Sequence, residues 1–339
     1  MIKTGQPTIN DVARLAGVSK KTVSRVINAS PLLNDDTRRR VEQVIGELGY
    51  TPNPQARALA LRRNFLVGLV HDNPNAQTVM NVQRGMLEAL HGTEFALVVR
   101  PLDRGSPTLV DDLRRFLERQ RLYGVFLMPP VSENDAVARA CDELGVRYVR
   151  MGSAPLDDDE HMVASNDREA VREATQHLID LGHRRIGLVA GPHGFRSALE
   201  RREGFREALA AAGLPLPRTL VAEGNYTFDS GRMAAERLLD AVPRPTAIFS
   251  STDTMAAGVM HAARQRGLDI PRDLSIVGFD DTPVAAHVWP PLTTVRWPVV
   301  SMARAGAQKL IAPEVGDGDE PALFLSTLVR RSSVAPPAA

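Results

Sequence analysis

The sequence predicts two folds in succession: a small all-α headpiece with a hinge helix, then a two-lobed α/β core built on parallel sheets. Three observations predict this. Residues 1–50 carry three short runs of helical apolar periodicity. From residue 64 onward, short continuous apolar runs alternate with helical ones, the pattern of strands covered on both faces by helices. The body is also too long for one comfortable hydrophobic core, so it divides into two lobes.

The charge divides at the same place. Residues 1–63 hold eleven Lys and Arg against five acids, whereas the whole chain has a net charge of only +1, so the remainder is acidic. A basic head on an acidic body points to a polyanionic partner for the head. With 43% apolar and 24% charged residues the composition is that of an ordinary globular protein. The segment "MIKTGQPTIN" lacks an apolar signal core and no run of 18 apolar residues occurs, so neither export nor membrane spanning is expected. The single cysteine, Cys141, rules out an intrachain disulfide and a thiolate zinc site, and reads as a buried side chain.

The headpiece is built as follows. Ile9, Val12, Ala13 and Ala16 fall on one helix face, Thr8 with Asp11 forms a capping-box-like start, and Gly17 supplies the exit. Ser19 caps a second helix, with Val18 and Val23 placed as a hydrophobic staple. That helix buries Val23, Val26 and Ile27 and turns Lys20, Lys21, Ser24 and Arg25 the other way. A third helix starts at Asn34, carries Asp35 and Asp36 where the dipole favours acids, buries Val41, Val44, Ile45 and Leu48, and closes at Gly49. Two helices joined by a Gly turn and braced by a third make a helix-turn-helix, whose second helix enters a major groove. The competing reading is a small bundle for protein contact, and the polar quartet counts against it.

"YTPNPQARALALRR", Tyr50 to Arg63, then offers Asn53 as a cap and Pro54 at a first helical position. A helix so short persists only when something holds it. Leu59, without a large apolar neighbour on its face, is a candidate wedge for a minor groove, the alternative being a plain linker. At these residues the chain resembles a known family. "TINDVARLAGVSKKTVSRVIN", "LNDDTRRRVEQVIGELGYTPN" and "ARALA" resemble the headpiece and hinge of the lac-repressor (LacI/GalR) family of bacterial transcription regulators. The resemblance implies that Lys20, Lys21, Ser24 and Arg25 read an operator, with Leu59 as the wedge inserted in pairs by a dimer. Thr8, Ser19, Thr22, Asn28, Asn53 and Arg57 complete the expected DNA contacts.

In the body, ligands of open α/β sheets bind beyond the carboxyl ends of the strands. Those ends carry His71-Asp72-Asn73, Asn225-Tyr226, Thr252-Asp253 and Asp280-Asp281. Each alone reads equally as a loop residue or helix cap, and Asp253 and Asp281 in particular as caps. "HLIDLGHRRIGLVAGP", "ALERREGF", "PTAIFSSTDTMAAGVMHAARQRGLDIPRDLSIVGFDD" and "PPLTTVRWP" extend the family resemblance to its periplasmic-binding-protein-like core. The resemblance implies that the chain crosses between lobes, giving an N-lobe of about 64–164 and 298–324, a C-lobe of about 165–297 and 325–332, and a tail at 333–339. It places Arg201 and Asp280 as effector-binding residues, Tyr226 and Thr252 at pocket positions and Trp297 beside a crossover, and Ser197 joins them as a candidate. Gly152-Ser153 stands where many members carry an acid, Asn166-Asp167 where Asp-Asn is common, and Trp297 where Gln is frequent.

No nucleotide-binding, zinc-protease or hydrolase signature occurs, and the eight histidines do not cluster, so no enzyme activity, cofactor or metal is expected. A transport solute-binding protein would fit the body but not the head. The expected function is therefore a cytoplasmic, nucleoid-bound regulator acting as a homodimer on a pseudo-palindromic operator, probed by a small carbohydrate effector, with purines as the competing ligand class. The ending "RRSSVAPPAA" contains no leucine heptad that would tether dimers.

Overall fold

The computed structural model describes residues 7–27, 33–50, 64–315 and 322–338. The chain forms two compact units, residues 1–65 and 66–339. The first holds α1 (Ile9–Leu15), α2 (Lys20–Ile27) and α3 (Asp35–Leu48). Asp11 ties back to Thr8 at the start of α1, where the Thr8 N–H and hydroxyl both donate to the Asp11 carboxylate at 3.0 and 2.7 Å. Gly17, at φ +66°, turns the chain, and the Ser19 hydroxyl accepts the Thr22 N–H at 3.1 Å to open α2. Asn34 caps α3 through the Asp36 N–H, and Gly49, at φ +61°, ends it. Val12, Ala13, Ala16, Val23, Val26 and Val41 close into one buried cluster.

The second unit begins with β1 (Leu66–His71), α4 (Ala76–Leu90), β2 (Ala96–Pro101), α5 (Leu109–Gln120), β3 (Gly124–Leu127), α6 (Asp135–Glu143), β4 (Arg147–Gly152) and β5 (Met162–Ser165). The chain then enters a second lobe with α7 (Asp167–Asp180), β6 (Ile186–Ala190), α8 (Arg196–Ala211), β7 (Val221–Glu223), α9 (Phe228–Leu239), β8 (Ala247–Ser250), α10 (Asp253–Gln265), β9 (Ser275–Asp280), α11 (Pro283–His287) and β10 (Thr293–Arg296). It returns to the first lobe for α12 (Val299–Val315) and β11 (Leu323–Phe324), and ends in the second with β12 (Thr327–Val329). The sheet orders are β11-β5-β4-β3-β1-β2 and β12-β10-β9-β8-β6-β7. All pairings are parallel except β12 against β10. Each lobe thus has the doubly wound order whose switch point lies between its first and third strands, β1/β3 and β6/β8.

Two expectations need correction. Strand β2 is not covered on both faces: it forms a sheet edge, and Val99 is 37% exposed there. Residues 333–338 do not stand apart as a tail. Ser333 is fully buried, its hydroxyl donates to the Ile276 carbonyl at 2.6 Å and accepts the Thr293 N–H at 2.8 Å. The crossovers are tied together. The Trp297 indole N–H donates to the Ser165 hydroxyl at 3.0 Å, and the Ser326 N–H donates to the Asn166 side chain at 2.7 Å. Among the described residues, no helix is long and apolar enough to cross a membrane.

Two buried polar groups hold the second lobe together. The Asp253 carboxylate accepts the Thr282 N–H at 2.7 Å, the Thr282 hydroxyl at 3.0 Å and the Thr294 hydroxyl at 2.5 Å, joining α10 to the β9–α11 turn and to β10. Burial pushes its pKa up to about 6, against the pull of these bonds. His183 lies between Thr246, 2.9 Å from Nδ1, and the Ala335 carbonyl, 2.9 Å from Nε2. A carbonyl only accepts, so Nε2 carries the hydrogen, and the neutral ring takes the Thr246 hydroxyl at Nδ1. Burial holds this imidazole below its ordinary pKa, the Ala335 bond opposing.

Asp253→Ala leaves a buried N–H and two hydroxyls without their acceptor. It should cost roughly 2–4 kcal/mol of stability at neutral pH in urea unfolding, the scale of unsatisfied buried donors. The gap between parent and variant should widen as pH falls from about 7 to 5, because the native carboxyl takes up a proton that the unfolded one, at its lower pKa, does not. His183→Gln has the opposite sign. The depressed native pKa means that the ring's contribution is full above the unfolded value of 6.5 and is lost as pH falls through the native value. The parent's advantage over His183→Gln should therefore shrink on acidification, measured in the same unfolding series.

Candidate functional site

The headpiece presents one chemically distinct face. On α2, Val23 and Val26 point into the bundle, while Lys20, Lys21 and Arg25 are exposed and Thr22 and Ser24 half-buried. The spacing i, i+1, i+4, i+5 puts Lys20, Lys21, Ser24 and Arg25 on one side of the helix. Two lysines in the first turn oppose the helix dipole, and that turn holds no acid. Such a helix start is short of negative charge, and phosphates or the acceptor edges of bases supply it. Thr8 and Ser19 are exposed at the starts of α1 and α2, both engaged in capping. Asn28, Asn53, Arg57 and Leu59 lie outside the described residues.

In the second unit a chamber lies where the carboxyl ends of the two sheets face each other. Asn73, Asn75, Thr78, Pro129, Gly152 and Ser153 line it from the first lobe, and Asp167, Phe195, Ser197, Arg201, Tyr226, Thr252, Asp280 and Trp297 from the second. Its free volume is about 40 Å³. Arg201 is the polar centre. It belongs to α8, on the same buried stripe as Ala198, Phe205 and Leu209. Gly204 sets its position: a Cβ there would stand 2.1 Å from the Arg168 carbonyl, so only glycine lets α8 lie against the start of α7. Arg201 Nε then donates to Asp167 at 2.8 Å and Nη1 to the Ser251 carbonyl at 2.6 Å, while Asp280 lies 3.8 Å away. The guanidinium also stacks 3.6 Å from the centre of the Phe279 ring.

The electrostatics follow from burial. The side chains of Arg201, Asp167 and Asp280 are 5%, 1% and 7% exposed, so none keeps its hydration. Burial raises the Asp280 carboxyl well above the ordinary range; Arg201 opposes this, and Asp253 and Asp167 add to it. For Arg201, burial favours the neutral form, but Asp167, Asp280 and Tyr226 together outweigh it and raise its pKa. The result is a buried cation set between two acids, with the remaining guanidinium donors and a carboxyl to offer, suited to hydroxyls that donate and accept at once. Tyr226 and Asp280 hold φ values of +68° and +111°. Both are non-glycine residues in a costly region of the backbone map, and both line this chamber. Gly191 makes room for the Tyr226 ring, since a Cβ would stand 2.5 Å from its hydroxyl.

The structure therefore brings Asn73, Ser197, Arg201, Tyr226, Thr252, Asp280 and Trp297 together, with Thr252 also capping α10 through the Met255 N–H. The other strand-end residues fall elsewhere. Asp253 is wholly buried in the framework described above and does not line the chamber. Asp72 accepts the Arg104 N–H at 3.0 Å, and His71 ends β1 half-buried, with its pKa lowered by burial. Asn225 turns to Thr227. Asn75, Thr78, Ser153, Asp167 and Phe195 were missed as lining residues. Asn75 caps α4, its side-chain oxygen accepting the Gln77 and Thr78 N–H groups. Asp157, Asp158 and His161 offer ligand atoms within 4.8 Å of one another in a loop. Asp158 is engaged by His161, and Asp157 by Tyr148 and Arg150.

Comparison with known proteins agrees with both parts. Residues 8–53 match bacterial regulatory proteins of the lacI family, and residues 175–334 match the periplasmic binding protein-like domain. The chain is 38% identical to the HTH-type transcriptional regulator CelR of Thermobifida fusca over 98% of its own length and all of that protein's. A solved transcriptional regulator CelR–cellobiose complex superposes with a TM-score of 0.71 at 36% identity, covering 96% of this chain and 99% of that one. The lac repressor dimer bound to operator and the anti-inducer ONPF gives a TM-score of 0.81 at 28% identity, covering 98% of this chain and all of that one. The chain belongs to the lacI family of bacterial regulatory proteins and is a DNA-binding regulator of transcription.

Proposed function

We propose that this regulator acts in the cytoplasm as a homodimer on a pseudo-palindromic operator in nucleoid DNA, and that a small neutral carbohydrate in the cleft sets its operator affinity. It acts by binding and not by chemical conversion. The observation that carries the effector reading is the Arg201–Asp167–Asp280 cluster, in which one buried cation already has two buried acidic partners before any ligand arrives. A phosphate or carboxylate would add negative charge to a cation already matched by two acids. A sugar hydroxyl exchanges hydrogen bonds without changing the balance. Tyr226 and Trp297 supply apolar ring surface in the same chamber. Similarity to a regulator solved with cellobiose supports the ligand class, and similarity to a repressor dimer on operator supports the assembly.

The coupling follows from the crossovers. Trp297 lines the chamber and bonds Ser165 at one crossover, so a ligand that moves Trp297 or Asp167 acts on the segments about which the lobes pivot. An effector touching both lobes stabilises one relative pose, and only such differential contact shifts the equilibrium. On the DNA side, the wedge assigned to Leu59 and the readers Lys20, Lys21, Ser24 and Arg25 do different work. The wedge is repaid only at a deformable operator step, whereas the cations also serve non-specific binding.

Leu59→Ala should weaken specific operator binding by about a few kcal/mol, the scale of one unstacked step and its repayment, while salt-sensitive non-specific binding stays. Titration of fluorescent operator and scrambled duplexes measures both, and equal operator affinity in parent and variant would refute the wedge. Arg201→Ala and the shape-preserving Asp280→Asn should remove the effector's influence on operator affinity, a coupling of about 1–3 kcal/mol. For Asp280→Asn, operator binding without effector should stay within about twofold, since no headpiece contact changes; Arg201→Ala leaves two buried acids without their cation and is compared at matched folded fraction. A calorimetric screen of sugars, sugar phosphates, nucleosides and bases identifies the effector, and a purine or phosphorylated hit refutes the neutral-sugar assignment.

A further inference from the structure

A second cavity of about 500 Å³ lies beyond the inner chamber, and Phe195 is a wall of both. Small-molecule sites usually measure roughly 300–1,000 Å³. The outer cavity is in that range, while the inner chamber, at about 40 Å³, is nearly filled by its own side chains. In this pose of the lobes a ligand cannot reach Arg201. Whatever holds the pose also holds ligands out.

Two residues of the first lobe hold it, and both act on the start of α8. Glu133 ends the 3-10 turn Val131–Glu133, and its Oε2 accepts the Arg196 N–H at 2.9 Å. That N–H is one of the free donors of a helix start, and the N-cap residue Phe195 supplies no side-chain cap. The first lobe thus caps a helix of the second. Arg104 reaches the same point from the loop after β2. Its own N–H is fixed by Asp72 at 3.0 Å, and its guanidinium lies 4.3 Å from the centre of the Phe195 ring. Gly194, at φ +80°, turns the backbone beneath it, where a Cβ would stand 3.4 Å from Arg104 Nη2. The Phe195 ring also meets Tyr226 of the chamber edge-on, with 5.7 Å between centres and 88° between planes.

The Glu133 contact is close to balance. Burial raises its carboxyl above the ordinary range, opposed by the N–H groups of Arg196 and Ser197 and by the Arg104 and Arg196 side chains. Its Oε1 is buried and, among the described residues, has no hydrogen-bond partner. Asp253 is the contrast, since its carboxylate satisfies three donors. A contact half satisfied when made and hydrated when broken parts readily. We propose that Glu133 and Arg104 form an autoinhibitory latch between the lobes, with Phe195 as the gate between the outer cavity and the chamber around Arg201. An effector enters the chamber only after the latch parts and Phe195 moves aside, so the latch sets how often the chamber is open. The inference goes beyond the effector reading and holds for a ligand of any class.

The chain has two tryptophans, Trp289, which is exposed, and Trp297, which lines the chamber. In a full-length Trp289→Phe background Trp297 is the sole reporter, and acrylamide quenching of its fluorescence reads the opening of the chamber with no effector added. Glu133→Ala and Arg104→Ala should each raise the quenching constant about twofold or more, because quenching follows the population in which the ring meets solvent. Quenching is compared well below each protein's melting transition, and hydrogen exchange across residues 191–206 is followed in the same proteins. If exchange at the start of α8 quickens while Trp297 quenching is unchanged, Glu133 only caps a helix and the latch is overturned. Quenching that is unchanged or lowered in both variants overturns it as well. The test uses no sugar, so its failure leaves the carbohydrate reading standing.

Discussion

The α/β body depends on one buried cation. Arg201 sits where the carboxyl ends of two sheets converge, and without its acidic partners it would be too costly to bury. Its partner Asp167 is the first residue of α7, directly after the chain has crossed from one lobe to the other. Ser165, the last residue of β5, donates to the other Asp167 oxygen at 2.5 Å and accepts from Trp297 at 3.0 Å. One chain of polar contacts therefore runs from a crossover through the ligand chamber to Asp280 at the end of β9. Pivot and pocket are made of the same residues. Any rearrangement of this network is felt at the crossover segments without a long relay.

The headpiece places chemistry above local stability in a comparable way. A helix start prefers acids, and α3 follows that preference with Asp35 and Asp36, capped by Asn34. Helix α2 does the reverse and puts Lys20 and Lys21 there. Its stability comes instead from Val23 and Val26 in the shared core and from the Ser19 cap. The contrast between two helices of one bundle marks α2 as the surface that meets the polyanion. The excess of basic residues in the first 63 points the same way.

Much of this was legible in the sequence because periodicity and capping act locally. The three headpiece helices, their caps and the alternation of strands and helices in the body follow from such patterns. What escaped was decided by packing between distant segments. Strands β11 and β12 are two and three residues long and gain meaning only as additions to sheets whose strands lie earlier in the chain, β11 beside β5 some 160 residues away. Asp253 and Asp280 look alike as acids beside strand ends, yet one is consumed by Thr282 and Thr294 and the other lines the chamber. No local pattern separates them. His71 and Asp72 were drawn in by their position after β1, but the chamber takes Asn73 and Asn75 from that turn instead. The hinge residues Asn53, Arg57 and Leu59 lie outside those described.

The electrostatics of the cleft bear on how such a protein switches. Charged side chains that already satisfy one another can give up a hydrogen bond to a ligand hydroxyl and regain one, so the net energy of binding stays modest while its geometry is demanding. What matters for regulation is the difference in binding energy between two poses. Moving an equilibrium from one pose almost wholly to the other takes a ratio of affinities of about 10⁴, or about 5.5 kcal/mol. One exchanged set of hydrogen bonds falls short of that. Contacts on both sides of the cleft come nearer, because walls drawn from two lobes meet the ligand together only when the lobes are closed. The chamber around Arg201 and the cavity beyond Phe195 are both walled in that manner.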